Sequence, residues 1–346
     1  MARIALARFE TARKRRSLLA ILATTFFTLL WPAFAFSQAQ QSQPAIRVRV
    51  DQVNVGVIVT DARGNFVENL HRENFQVFDN GVEQPIAGFS SIEGAAQVLL
   101  LLETGPAVYL LEGSHLSAVA TLLKGLAPDD RVAIAAYADS PQLVLDFTTD
   151  KQLAAANLDR LRFNLGFTNL NLSSSLAAVL DSLDPAHGKK TIVLLSTGVD
   201  TSATETIVAL FARLKLSDAR IFSLSLSGSL RASPPRPGRK KKNPPLAAPD
   251  PMFEEADQEL RSIAEFTGGR SYFPRTPAEF TSACAEIADL VRHEYSLSFA
   301  APIHDAAIHS LQVFVTIAPS SPASPSPATP PPVYRISHRS AYLAPE

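Results

Sequence analysis

The side chains able to carry covalent or acid–base chemistry in this sequence are few and scattered. Three serines run together at Ser173-Ser174-Ser175, and the one cysteine is Cys284. Seven histidines stand singly, at His71, His115, His187, His293, His304, His309 and His338. A serine or cysteine nucleophile needs a base within hydrogen-bond reach. The chain has neither a Gly-x-Ser-x-Gly turn nor a His-Glu-x-x-His helix, and no two histidines are four residues apart. Each histidine therefore reads as a surface or half-buried residue. The serine run falls where a helix starts, a position that serine favours for capping. Cys284 shares a helix face with Phe280, Ile287 and Val291, at spacings of four, three and four, and reads as a small buried hydrophobe. One cysteine also excludes a disulfide framework and a cysteine-built zinc site. The chain is expected to be non-enzymatic.

The charged residues give no stronger signal. The 346 residues carry 32 Lys and Arg against 33 Asp and Glu. The basic cluster Arg236, Arg239, Lys240, Lys241 and Lys242 lies in a segment, Arg231–Pro251, that holds seven prolines. It has no aromatic residue on which a base could stack, so nucleic acid is not an expected partner. The segment reads as a solvated surface insertion into the fold around it.

The elements that must position any site are strongly patterned. Arg3, Arg8, Arg13, Lys14, Arg15 and Arg16 precede an apolar run from Leu18 to Leu30 and the small-residue sequence Ala33-Phe34-Ala35. That order is a secretory signal peptide over residues 1–39, cleaved after Ala35 or Ala39. The run is short of the ~20 residues that span a bilayer, so no stable membrane insertion is expected after cleavage. Its removal leaves 26 basic and 32 acidic residues, a net charge of about −6. A secreted or periplasmic location follows.

Residues 45–92 read as β structure. Val53, Val55, Val57 and Val59 alternate, and Asp79-Asn80-Gly81 marks a hairpin. From 95 to 293, short apolar runs alternate with helix-period segments. The strands are expected at Val98–Leu102, Val132–Tyr137, Gln142–Phe147, Thr191–Ser196 and Ile221–Leu226. This is the pattern of an α/β domain with a mostly parallel sheet. Residues 294–346 return to β, interrupted by the proline-rich loop 319–332. About four strands are expected at the front of the mature chain and three at the back. Joined, they would form one β-sandwich carrying the α/β domain as an insertion.

Several stretches resemble the von Willebrand factor A (VWA) domain, and nearly the whole mature chain is similar to secreted bacterial VWFA-related proteins of the acidobacterial type. They include Asn74-Phe75-Gln76-Val77-Phe78-Asp79-Asn80-Gly81, Val98–Glu103, Gly166-Phe167-Thr168-Asn169-Leu170 and Ile192–Asp200. The stretch from Leu260 through Thr267-Gly268-Gly269-Arg270-Ser271-Tyr272-Phe273 is the most specific of them. The resemblance implies a Rossmann-like, doubly wound sheet. It also implies a place for Mg²⁺, the metal-ion-dependent adhesion site (MIDAS), built from an Asp-x-Ser-x-Ser loop, a Thr and an Asp.

Here the equivalent positions are Glu103, Gly105, Ala107, Thr168 and Thr197. The acid is one methylene longer, both serine hydroxyls are absent and the third-loop acid is a threonine. That set is a poor match to the near-octahedral oxygen shell of Mg²⁺, so a degenerate site with no metal or other cofactor is expected. Asp200 either swings in to complete it or is a turn residue ahead of a helix that Ser202 and Glu205 cap as a box. Thr104 is out of phase with the ligand positions.

The resemblance thus implies an adhesion-type protein, with an unknown protein partner in the cell envelope or outside the cell. Its contact surface would be formed by Glu103, Thr104, Thr168, Asn169, Thr197 and Asp200. Mg²⁺-dependent adhesion through a residual MIDAS is the alternative, and an unrecognised hydrolase a remoter one.

Overall fold

The structure, a computed structural model, describes residues 52–111, 113–166, 168–183, 189–232, 251–317 and 333–345. The expected signal peptide, nearly all of the basic insertion, Phe167, His187 and the proline-rich loop lie outside the described residues.

The chain opens with β1 (Gln52–Thr60), β2 (Phe75–Asp79), β3 (Val82–Gln84) and β4 (Gly88–Glu93). An α/β section follows: β5 (Ala96–Glu103), α1 (Pro106–Tyr109), α2 (Ser114–Gly125), β6 (Arg131–Tyr137), β7 (Pro141–Thr148), α3 (Lys151–Leu158) and α4 (Leu172–Leu183). It continues through β8 (Lys189–Ser196), α5 (Thr204–Leu216), β9 (Arg220–Ser225), α6 (Ser227–Ala232), α7 (Pro251–Phe266), β10 (Ser271–Tyr272) and α8 (Pro277–Leu290). The last strands are β11 (His293–Ala300), β12 (Ile308–Val315), β13 (Arg335–Ser337) and β14 (Ala341–Leu343).

Strands from the two ends of the chain share sheets. One has the order β13-β1-β11-β4, the other β14-β12-β2-β3. Val55 lies opposite Leu297, and Val57 opposite Tyr295. Their inward faces form one apolar core with Phe75, Val77, Phe299, Leu311 and Val313. Each terminal segment gives two strands to each sheet, so neither layer of the sandwich is complete without the other segment. The β2–β3 hairpin turns at Asn80 (φ 47°) and Gly81 (φ 79°), both in the left-handed region that a two-residue turn requires. The back segment holds four strands rather than three, because Ala341–Leu343 also pairs, with β12.

The central sheet has the order β10-β9-β8-β5-β6-β7. Every pairing in it is parallel except β6–β7, which puts one antiparallel strand at the edge. The alternation within β5 shows why its sequence is a continuous apolar run. Val98, Leu100 and Leu102 face Val119 and Leu122 of α2 and Phe280, Cys284 and Ile287 of α8. Leu99 and Leu101 face Leu176 of α4, Leu210 of α5 and Leu260 of α7. Both faces are covered, so no position from Val98 to Leu102 is left polar. Cys284 is fully buried, and burial pushes its thiol up to about 12. Ile58 of β1 also enters the α2–α8 core, which welds the sandwich to the inserted domain.

Candidate functional site

β5 and β8 are neighbours, but from β5 the chain winds one way to β6 and from β8 the other way to β9, so the loops leaving them part at the carboxyl edge of the sheet. In open α/β sheets this divergence creates the binding crevice. Glu103 is the last residue of β5, and Thr197 directly follows β8. The loop between α3 and α4, which carries Thr168, Asn169 and Leu170, reaches the same end: the Asn164 N–H donates to the Thr104 carbonyl at 2.8 Å.

Glu103 is buried, and its carboxylate is enclosed by donors. The Thr197 N–H reaches Oε2 at 2.7 Å, and the Thr197 hydroxyl lies 2.9 Å from Oε2 and 3.1 Å from Oε1. Ser196 donates its hydroxyl to Oε2 at 3.0 Å. The Tyr137 hydroxyl, at the end of β6, lies 3.3 Å from the same oxygen and 2.7 Å from Ser196 Oγ. Burial raises the Glu103 pKa, and these hydrogen bonds oppose that rise. Burial and the adjoining Glu103 charge hold the Tyr137 hydroxyl well above its ordinary value, so it stays a donor.

This arrangement does not fit Mg²⁺. The ion needs oxygen lone pairs converging on one point, whereas the hydroxyls of Ser196 and Thr197 turn their protons toward the carboxylate. Space is wanting too. A Cβ on Gly105 would lie 2.7 Å from Leu170 Cδ2 and 3.4 Å from Glu103 Oε1, so Leu170 fills the position where a serine side chain would stand. Ala107 brings no oxygen, being inside the short α1. Thr168 is half-buried, and its hydroxyl donates to the Asn169 carbonyl at 3.3 Å. Among the described residues no group of three or more His, Cys, Asp or Glu side chains is placed to hold a metal.

Asp200 serves a different purpose. Its Oδ2 accepts the Ser173 N–H and its Oδ1 the Ser202 N–H, both at 2.8 Å. It therefore sits on the first turn of α4, where a carboxylate offsets the exposed amides and the helix dipole. The expected Ser202–Glu205 capping box does not form. The N-cap of α5 is Ala203, which has no side-chain cap, and the Ser202 hydroxyl is buried without a partner. The serine run does not cap α4 either, since the Ser173 and Ser175 hydroxyls are buried and unpartnered. A distant carboxylate has taken that role.

Of the expected surface residues, Glu103 and Thr197 meet directly. Thr104 is buried and turned toward β6, its N–H and hydroxyl both donating to the Tyr137 carbonyl, at 2.8 and 3.0 Å. Thr168 and Asp200 make no hydrogen bond to the Glu103 cluster. Sequence reasoning missed Tyr137, Ser196, Leu170 and Thr201. Thr201 stitches two loops together: its N–H donates to the Leu170 carbonyl at 2.7 Å, and its hydroxyl accepts the Leu170 N–H at 2.9 Å. A signal for Tyr137 was present, as a hydroxyl closing an otherwise apolar strand.

Around this polar plug the surface is partly apolar. Tyr109, Leu110 and Leu165 are 55%, 54% and 64% exposed, and the Tyr109 ring lies 6.1 Å from that of Phe163. Beside them a groove of about 420 Å³ is lined by Thr104, Tyr137, Asp139, Arg160, Arg162 and Phe163.

No family model matches the chain, and no curated protein matches it. Among solved structures it is similar to an aerotolerance-related membrane protein from Bacteroides fragilis, with 16% identity and a TM-score of 0.43 over 57% of this chain and 98% of that one. It is also similar to a von Willebrand factor type A protein from Catenulispora acidiphila, with 12% identity and a TM-score of 0.43 over 79% and 74%. The protein BatB from Bacteroides thetaiotaomicron gives 14% identity and a TM-score of 0.40 over 57% and 98%.

Proposed function

We propose that this is an exported, non-enzymatic interaction protein whose VWA-like domain binds a protein partner, without metal, at the carboxyl end of its central sheet. The observation that carries this reading is the internal use of Glu103: its carboxylate is enclosed by Ser196, Thr197 and Tyr137 and is not turned outward toward an ion. Around it, exposed Tyr109, Leu110 and Leu165 flank the groove that holds Arg160 and Arg162. Aromatic and arginine side chains are the residue types that anchor protein interfaces. The basic and apolar order of residues 1–39 supports export, and a partner in the envelope or outside the cell follows from it.

The test is a pull-down from envelope extract with the mature chain, run with Mg²⁺ and with EDTA, beside a Tyr109→Ser/Leu165→Ser variant. The same partner is expected in both conditions and lost with the variant. Recovery in Mg²⁺ alone would replace this reading with metal-dependent adhesion.

A further inference from the structure

β10 closes one edge of the central sheet, and β13 closes one edge of a sandwich sheet. Between these two strands and α7 lies a cavity of about 500 Å³. Arg261 and Glu265 of α7, Arg270 just ahead of β10 and Arg335 of β13 all line it. Three guanidinium side chains thus share the lining with one carboxylate. We propose that this cavity binds a small organic dianion, a phosphate monoester or a dicarboxylate.

The arginines keep donors in hand. Arg261, Glu265 and Arg335 are exposed, and none of them forms an ion pair with a described residue. The Arg261 guanidinium lies 4.2 Å from the centroid of the Phe273 ring, a contact that positions it without occupying its N–H groups. Arg270 gives Nη1 to Glu286 and Nη2 to the Thr60 hydroxyl at 2.9 Å, yet its Nε is buried with no hydrogen-bond partner. Glu286 also accepts the Tyr272 hydroxyl, at 3.0 Å, and does not line the cavity. His338, which does, adds no charge. Its Nε2 accepts the Val313 N–H at 3.2 Å and its Nδ1 donates to the Arg339 carbonyl at 2.8 Å, an arrangement that requires the neutral ring, and burial lowers its pKa. The stretch that leads into β13, residues 318–332, contains no Asp or Glu. Guanidinium donors left without acceptors are the groups that take oxyanions.

The cavity also has a fixed frame. Thr267 and Arg339 form an antiparallel bridge, and the Ser340 N–H donates to the Phe266 carbonyl at 3.1 Å, so the end of α7 is tied to the chain leaving β13. Gly268, at φ 76°, lets the two backbones touch there, since a Cβ on it would stand 2.5 Å from the His338 carbonyl carbon. The volume falls within the range of small-molecule sites, which favour domain junctions. Phe273 and Ile336 offer an apolar wall to the organic body of a ligand.

The test is thermal unfolding and calorimetric titration of the mature protein with glycerol 3-phosphate and with succinate, each against sodium chloride at equal ionic strength. A saturable rise of about 5 °C is expected at a hundredfold excess over Kd for one of the two, which also identifies the head group. Arg335→Gln, a change at an exposed side chain, is expected to weaken Kd about tenfold, the loss of one charge-assisted contact. Glu265→Gln, also at an exposed side chain, removes the one carboxylate of the lining and is expected to tighten it. A midpoint no higher with either anion than with chloride would overturn the proposal. So would binding that neither substitution alters, which would place the anion elsewhere, on the basic cluster Arg236–Lys242 for instance.

Discussion

The carboxylate of Glu103, at the end of β5, accepts both the main-chain N–H and the hydroxyl of Thr197 beyond β8, at 2.7 and 2.9 Å. One side chain thereby ties together the ends of two paired parallel strands at the centre of the sheet, where their loops part. The bond also turns inward the oxygens that a metal would need.

Truncating that group has a defined cost. Glu103→Ala leaves the Thr197 amide and three hydroxyls facing a void, and is expected to lower unfolding free energy by about 3 kcal/mol in urea titration. Adding Mg²⁺ or EDTA is expected to leave the wild-type midpoint where it was. A rise of several degrees with Mg²⁺ that disappears in Glu103→Ala would show that the carboxylate serves a metal after all.

His115 provides acid sensitivity. It is buried in the α2 layer, its Nδ1 has no hydrogen-bond partner, and burial lowers its pKa to about 4. The unfolded chain takes up a proton near 6.5, where the folded one does not, so stability falls as pH drops from about 6.5 to about 4. The loss is of order 3 kcal/mol, from the size of that shift. His115→Phe is expected to unfold much less steeply between pH 7 and 4.5; an unchanged pH profile would remove His115 as the cause.

His309 acts in the reverse sense. Its Nδ1 lies 2.8 Å from Asp79 Oδ1 and its Nε2 3.2 Å from Asp305 Oδ1, and the Tyr342 hydroxyl donates to Asp79 Oδ2 at 3.1 Å. The Asp79 hydrogen bond, with help from Asp305, raises the His309 pKa against burial. Its contribution is complete below the ordinary histidine value and is lost as pH climbs through the raised one. Denaturation between pH 6 and 9 should show a decline that His309→Gln abolishes, and an equal decline in the variant would count against the imidazolium.

Much of the fold was legible because burial writes itself into sequence. The period-two valines of β1, the Asn80-Gly81 hairpin and the apolar run of β5 each follow from which faces are covered. The site was legible only as a set of expected ligand positions. What the side chains there do depends on contacts between residues far apart in the chain. Tyr137 and Ser196 meet Glu103 only once three strands are aligned. Asp200 reads locally as the turn before α5, yet it caps α4, because the crossing of two loops decides which amide it faces. His115 and His309, expected at or near the surface, are buried, the first in an apolar layer and the second between two carboxylates. Replacing Asp200 with Ala is expected to cost about 1 kcal/mol by chemical denaturation, the ordinary worth of such a cap.

Gly105 and Leu170 test most directly whether the expected ligand position is filled. Gly105 has φ −67° and ψ 167°, a conformation open to any residue, so alanine there would gain about 0.5–1 kcal/mol through the unfolded chain alone. Against this, its Cβ would stand 2.7 Å from Leu170 Cδ2, and overpacking of that kind costs about 1–3 kcal/mol. Gly105→Ala is therefore expected to destabilise the wild-type protein and to stabilise a Leu170→Ala background. That change of sign in a double-mutant cycle reads the contact itself. Were Gly105→Ala stabilising in both backgrounds, Leu170 would not be what fills the site, and the space for a hydroxyl ligand would still be there.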